Sequence, residues 1–396
     1  MPGAAPRFPT WLPWLLGFLT AIGPASIDMY LPAFPAIEAE FGVAAGSAQV
    51  TLASYFAGLA VGQISQGTLS DRFGRRGPIM VGMAVYVMAS VAAALAPDLF
   101  WLSVFRAISA FGGAAGMVIP RAMVRDLATG HAAAVMMSQL TLVLGAAPIL
   151  APSIGGLVLM LGSWRWIFWI LAAYAAVCCA LVWFLLPDTL PREQRIALQV
   201  GQLLRRYRAI LRERYFLSHG AMACCASFAF FAYLAGSSPV FILGFGLSPA
   251  HYALLFGANS MALIVASQVN ARLVRRVGTS RVLRVVAWVH LAATATLAGV
   301  AFAGGATLVA VVAPLMLAVG CMGLLNPNTV VGALTHQGQQ AGSASAVMGT
   351  GQFLLGAVGG LLVGAFTDGS PRGMAALMVA GSIGLVIADR FRPAGR

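Results

Sequence analysis

The sequence predicts an all-α polytopic membrane protein: twelve transmembrane helices in two six-helix bundles. Three observations lead there. Of the 396 residues, 60% are hydrophobic and 9% charged, with a mean hydropathy of +0.88. Soluble domains carry about 25% charged residues, so this chain lacks the charge to cover itself with a polar surface. The apolar runs are long and do not alternate with period two, which favours helices over a β-barrel. They also fall six and six about a basic connector, the internal repeat of two bundles that rock about a site near the bilayer midplane.

Span one runs from about Trp11 to Leu31, followed by Pro32, Pro35, Glu38 and Glu40. The start lacks the basic region of a cleaved signal, so this first run is expected to stay as a helix. Spans two and three, about 47–69 and 77–96, each have the length of a bilayer-crossing helix. Between them lies Gly67-Thr68-Leu69-Ser70-Asp71-Arg72-Phe73-Gly74-Arg75-Arg76. That much charge cannot sit in hydrocarbon, so the stretch reads as a tight turn at a membrane surface. Gly67 and Gly74 permit close approach and sharp turning. Asp71 stands where a carboxylate caps the next helix or pairs, and Arg72, Arg75 and Arg76 pair with it or with lipid phosphate. Pro97 and Asp98 turn the chain into span four, about 99–120, whose inner end is marked by Arg121, Arg125 and Asp126. Span five is expected at about 132–160 and span six at about 164–186, opened by Trp164-Arg165-Trp166 at an interface.

Residues 187–215 are the longest polar connector, with seven arginines among apolar residues. Part of it reads as an amphipathic surface helix. It divides an N-terminal bundle, 1–186, from a C-terminal one, 216–396. The second half gives spans at about 216–243, 249–270, 280–302, 306–330, 341–366 and 372–389. Asn270 to Gly278 sits where Gly67 to Arg76 sits in the first half, a degenerate copy without the aspartate. All 24 basic residues are arginines, and 21 of them fall in the loops and tails assigned to one side. That asymmetry sets both termini in the cytoplasm and fits an anionic inner leaflet. The net charge of +13 is therefore read as contact with membrane lipid, not with nucleic acid.

Ionisable groups inside spans mark function, because charge at membrane depth is expensive. Asp28 lies near the outer end of span one, one turn after Pro24. A carboxylate shielded from water there can act as a reversible proton carrier, or else as an interfacial cap. Arg106 lies about a third of the way into span four, on one face with Gly113. Small residues around it allow tight packing of a buried arginine, which can pair transiently with a carboxylate or with backbone carbonyls. In span five, Pro148 and Pro152 share a face between Gly145 and the pair Gly155 and Gly156. This describes a stiff, kinked helix at an interface between bundles, or a structural kink alone. Tyr30, Tyr55, Gln63, Gln139, Phe228, Phe231 and Asn326 are candidates for lining a substrate cavity. The five cysteines lie in apolar runs without ligand spacing, so neither a metal site nor a disulfide framework is expected. No phosphate-binding glycine loop or nucleophile–base set is present in the sequence, so an enzyme, a cofactor and an ATP-driven pump are not expected.

The Gly67–Arg76 stretch resembles the signature loop between the second and third helices of the major facilitator superfamily of transporters. Within it, the chain resembles the twelve-helix drug:proton antiporters of the Bcr/CflA multidrug resistance type. Asp28-Met29-Tyr30-Leu31-Pro32-Ala33 is similar to that branch's first-helix signature. Arg106 through Gly116 resembles the fourth-helix motif, in which the arginine is implicated in proton coupling. Gly145, Pro148, Pro152, Gly155 and Gly156 resemble the fifth-helix motif of exporters. Arg121 through Asp126 and Trp164 through Phe168 also resemble this branch. Ser109 departs from the pattern, which often has glutamine there. The resemblance implies proton-coupled export of small drugs across a bacterial inner membrane by alternating access; two bundles make the pathway without a partner, so a monomer is expected. Proton-coupled uptake or export of a single metabolite is the alternative.

Overall fold

Among the described residues, twelve long helical segments follow one another in the order the hydropathy predicts. The computed structural model describes residues 9–128, 130–195, 200–304, 306–366 and 368–393; the tail arginine Arg396 lies outside them. Helix α1 covers Leu12–Phe41 in consecutive pieces, Leu12–Thr20, Ile22–Asp28, a 3-10 turn Leu31–Ala33, and Phe34–Phe41. Then come α2 (Gln49–Phe73), α3 (Arg76–Ala94), α4 (Leu99–Leu127), α5 (Gly130–Leu161) and α6 (Arg165–Leu185). A linker helix, Val200–Ile210, precedes α7, which runs Arg214–Ser238 and continues as a π-helical turn, Pro239–Gly244. The chain closes with α8 (Pro249–Val277), α9 (Thr279–Phe302), α10 (Leu308–Leu334), α11 (Ala341–Ala365) and α12 (Arg372–Arg390).

The breaks in α1 have a local cause. Pro24 and Pro32 bring no N–H to the carbonyls of Thr20 and Asp28. The helix is interrupted at Ala21 and again after Asp28, one residue beyond each freed carbonyl. Helix α5 treats its prolines differently and stays continuous through Pro148 and Pro152. Pro152 leaves the Pro148 carbonyl without a helical donor, and Ser260 Oγ of α8 donates to it at 3.3 Å.

Eleven of these segments are long and apolar enough to cross a membrane by composition alone. The other is α2, whose Gln49, Thr51, Gln63, Gln66 and Ser70 are buried against protein. Its 25 residues reach about 38 Å, enough to span hydrocarbon. It packs on α4 in its own bundle and on α11 of the other. The two bundles also meet along α5 and α8. At the end carrying Glu38 and Glu40, the acidic end, the outer part of α1 reaches across to α7 and α8.

At the opposite, arginine-rich end the turn is shorter than the sequence suggests. Helix α2 continues through Asp71 to Phe73, and only Gly74 and Arg75 separate it from α3. Gly74 has φ +89°, and Gly278, in the corresponding turn of the second half, has φ +81°; both need glycine for this left-handed backbone. Gly67 sits inside the helix, where a Cβ would meet Val118 at an ordinary 3.7 Å. Asp71 does not cap α3. The Arg75 N–H instead donates to Asp188 Oδ1 at 2.8 Å, from the chain just after α6. The linker ends at Glu213, which accepts from the N–H groups of Tyr215 and Phe216 at 2.8 and 2.7 Å and so caps α7. Burial pushes its pKa up, but these two donors and His336 outweigh that and hold the carboxylate below its usual range.

Candidate functional site

Asp98 starts α4 by accepting from the Trp101 N–H, and Arg106 follows two turns later with 1% of its surface exposed. Its Nη1 donates to the Ser26 carbonyl of α1 at 3.0 Å. Three rings surround the guanidinium, with Tyr55 at 4.1 Å, Tyr30 at 4.5 Å and Phe168 at 5.8 Å from Cζ. Nε and Nη2 have no hydrogen-bond partner among the described residues. Placing an arginine at membrane depth costs about 3 kcal/mol on insertion scales. A desolvated cation–π contact contributes about 2 kcal/mol and a charge-assisted hydrogen bond about 1.5–3 kcal/mol. The cage therefore offsets the burial without a carboxylate.

Glycines bring the neighbouring helices close enough to close that cage. Cβ atoms on Gly82 of α3 and Gly112 of α4 would each stand under 3 Å from the other's backbone. Gly116 similarly admits the Leu19 carbonyl of α1. Tyr30 is pinned by a 2.7 Å hydrogen bond with Thr51 Oγ1, and Ser26 Oγ is hydrogen-bonded to Tyr86. Ser109 turns back to the Arg106 carbonyl at 2.9 Å, away from the guanidinium.

Asp28 is the last residue of the second piece of α1 and is 5% exposed. Its carboxylate has no hydrogen bond or ion pair among the described residues. It lies within electrostatic reach of Tyr55 of α2, Tyr233 of α7 and Tyr252 of α8. Arg106 thus grips the α1 backbone two residues before Asp28, while Asp28 stands toward the C-terminal bundle. There Tyr233 accepts from Asn259 Nδ2 at 3.1 Å, and Tyr252 shares a 2.7 Å hydrogen bond with Ser237. Asn259 Oδ1 and Ser238 Oγ are buried and unpaired among the described residues.

The other candidates fall into separate groups. Phe231 joins Phe56 and Phe353 in an aromatic cluster across α7, α2 and α11, with centroids 4.3–6.2 Å apart. Phe228 packs on Gly359 and Gln63 on Gly349, both of α11. Gln139 is half-buried and Asn326 exposed. In α5, a Cβ on Gly155 would stand 2.1 Å from the Met29 carbonyl of α1, and one on Gly156 would stand 3.1 Å from the Pro249 carbonyl of α8. Gly145 has only Ile264 nearby, at 4.0 Å.

At the arginine-rich end Arg75 is sandwiched between Asp71 at 2.5 Å and Asp126 at 2.7 Å. Arg72 and Arg76 form no ion pair among the described residues; Arg72 lies over the Phe73 ring and Arg76 over Trp183. Arg121 and Arg125 are exposed, with Arg125 reaching toward Gly342 at the start of α11. Sequence reasoning gave no site role to Tyr86, Phe168 or Asp188. For Tyr86 a signal existed: a tyrosine about 15 Å into a span, away from either interface, needs a partner for its hydroxyl.

Residues 16–360 match the family model described as Major Facilitator Superfamily. The chain belongs to that superfamily. Its members are transporters, not enzymes, and this chain is a secondary-active transporter that works by alternating access in a bacterial inner membrane. Among curated relatives it is 33% identical to the uncharacterized MFS-type transporter YdgK of Bacillus subtilis over 89% of this chain and 88% of that one. It is 30% identical to a bicyclomycin resistance protein homolog of Haemophilus influenzae, over 88% of this chain and 87% of that one. A chloramphenicol resistance protein of Pseudomonas aeruginosa is 31% identical over 88% and 83%. A solved structure of the nucleoside transporter NupG, carrying a point mutation, superposes with a TM-score of 0.75 at 14% identity, over 97% of this chain and 99% of that one. This last likeness is one of fold.

Proposed function

We propose that this superfamily member exports small drugs in exchange for protons, as a twelve-helix antiporter of the Bcr/CflA type. The observation that carries the reading is Asp28, a buried carboxylate between the bundles with no hydrogen bond or ion pair among the described residues. An ionised carboxylate without donors is costly to bury, so a proton or a substrate group must compensate it. Asp28 takes a proton from the acidic side and releases it toward the arginine-rich side, and drug binding competes with protonation. Arg106 holds α1 at Ser26 and stabilises the deprotonated state through Tyr55. The turn from Gly67 to Arg76, with Asp126, locks the arginine-rich ends of the helices, while α5 forms the sliding seam along α8. Gln63, Gln139, Phe228, Phe231 and Asn326 contribute to the drug path.

The relatives named for resistance to bicyclomycin and chloramphenicol support a drug as cargo. The arginine bias supports a cytoplasmic placement of both termini, with bundles at 1–186 and 216–396 joined by 187–215. A two-bundle pathway needs no second copy, so the unit is a monomer. The test uses everted membrane vesicles energised by respiration. Adding chloramphenicol or bicyclomycin is expected to draw down the proton gradient in vesicles with the protein and not in those without it, and Asp28→Asn is expected to abolish the response. Drug-driven proton movement that survives Asp28→Asn at normal stoichiometry would sink the reading. Counterflow in the uptake direction would assign the chain to a metabolite permease.

A further inference from the structure

Arg75 and Arg76 are adjacent in sequence and opposite in circumstance. Arg75 is neutralised by two carboxylates. Arg76 forms no ion pair among the described residues. Its Nη2 donates to the Trp183 carbonyl, its guanidinium lies 5.8 Å from the Trp183 ring centroid, and its Nε is buried without an acceptor. The backbone of α6 therefore fixes a net positive charge at the start of α3.

Trp183 also closes one end of a groove of about 480 Å³ between α3 and α6. The alanines Ala84, Ala176 and Ala180 leave this space between the bulkier Met88, Trp183 and Phe184. Those three bulky side chains are exposed on the outside of the bundle, where the helices meet hydrocarbon. Met88 lies twelve residues beyond Arg76, so the groove reaches about 18 Å into the membrane from that charge. Its lining is apolar throughout.

The geometry points to a binding site for an anionic phospholipid of the arginine-rich leaflet, with one acyl chain in the α3–α6 groove and the headgroup phosphate on Arg76. A chain in the groove is in contact with protein along one side and with bilayer along the other. The phosphate supplies the negative charge that Arg76 lacks. A zwitterionic lipid of the same chains fits the groove but brings its own ammonium to the guanidinium.

The test is native mass spectrometry of the full chain in detergent, titrated with phosphatidylglycerol or phosphatidylethanolamine of identical chains. Phosphatidylglycerol is expected to be retained about fivefold better, the effect of one basic side chain on an anionic lipid. Arg76→Gln is expected to erase that preference, and Ala180→Trp, which fills the groove, to lower retention of both lipids. Arg275→Gln, an exposed arginine in the second half, is expected to leave the preference intact, and inorganic phosphate to leave the lipid bound. Equal retention of the two lipids overturns the proposal, as does a preference that Arg76→Gln leaves unchanged. Displacement by inorganic phosphate, or retention untouched by Ala180→Trp, overturns the groove. A second measurement keeps the test independent of how those variants fold. Phosphatidylglycerol with brominated chains is expected to quench the unmodified protein, and the quenched fraction to fall in Trp183→Phe; no fall overturns the site.

Discussion

Arg106 is held by one carbonyl and the faces of aromatic rings, and this choice of partners decides what a substitution does. A guanidinium is planar and lies flat against two rings at once, whereas a lysine ammonium is a compact, strongly hydrated point charge. Arg106→Lys keeps the charge and loses the fit to Tyr30 and Tyr55 at 4.5 and 4.1 Å. Transport is expected to fall at least about tenfold, equivalent to about 1.4 kcal/mol, with thermal stability close to the parent's. Vesicle transport and a melting curve on the same preparation check this, and a lysine variant with full activity would refute the caged role. Asp28 and Arg106 were legible in the sequence because a charge inside an apolar run is rare. Their relation was not. The sequence allowed a carboxylate or backbone carbonyls as partner for Arg106; the structure gives it the Ser26 carbonyl and the rings of Tyr30, Tyr55 and Phe168, two of which the sequence marked only as cavity candidates. Asp188 was equally hidden, since an acid beyond a helix end carries no sign of the N–H it will accept.

Each helix was readable as an element, while its packing was readable only where glycine and proline wrote it. The five residues of the α5 motif look equivalent in sequence, but their surroundings divide them. A Cβ on Gly155 would press to 2.1 Å against the Met29 carbonyl, backbone against backbone, so α5 or α1 must move. Overpacking of this kind costs about 1–3 kcal/mol. The same methyl on Gly145 meets one side-chain atom at 4.0 Å. Gly155→Ala is therefore expected to lower the melting temperature and transport together, and Gly145→Ala to leave both near the parent's. Thermal denaturation and vesicle transport of the pair check this; equal effects would show that the motif acts through backbone flexibility and not through close packing. Gly67 and Gly74 divide in the same way, one inside α2 and one at φ +89°, and no spacing rule in the sequence separates them. Helix α2 was legible as a span by length and place, although its glutamines depress its hydropathy; Gln66 donates to the Phe111 carbonyl of α4, Gln63 meets Gly349 of α11 and Gln49 donates to the Ala235 carbonyl of α7, partners set by tertiary contact.

At the scale of the molecule, six and six spans and the basic connector were enough to read the architecture, since two bundles account for 21 of 24 arginines falling in alternate loops and tails. The faces that join the bundles were not readable, because the seams are built from alanine, glycine, phenylalanine and isolated polar groups that also occur against lipid. The structure places Ala53 of α2 and Gly360 of α11 on opposite sides of one seam near the acidic end, with 3.7 Å between the Ala53 Cβ and a Cβ built on Gly360. That is the Cβ separation of a disulfide, about 3.8 Å. No other neighbour of that Cβ is closer than 3.7 Å, so a cysteine fits there. Alternating access requires the acidic ends of the bundles to part once in each cycle, and a covalent bond at this point prevents it. Ala53→Cys with Gly360→Cys is made with Cys178, Cys179, Cys224, Cys225 and Cys321, all free in the structure, replaced by alanine. Oxidation is expected to stop transport, and reduction to restore it to the level of the unoxidised protein, with each single-cysteine variant indifferent to both treatments. A fully cross-linked protein that still transports would mean that α2 and α11 stay joined throughout the cycle, and that the bundles open along α5 and α8 alone.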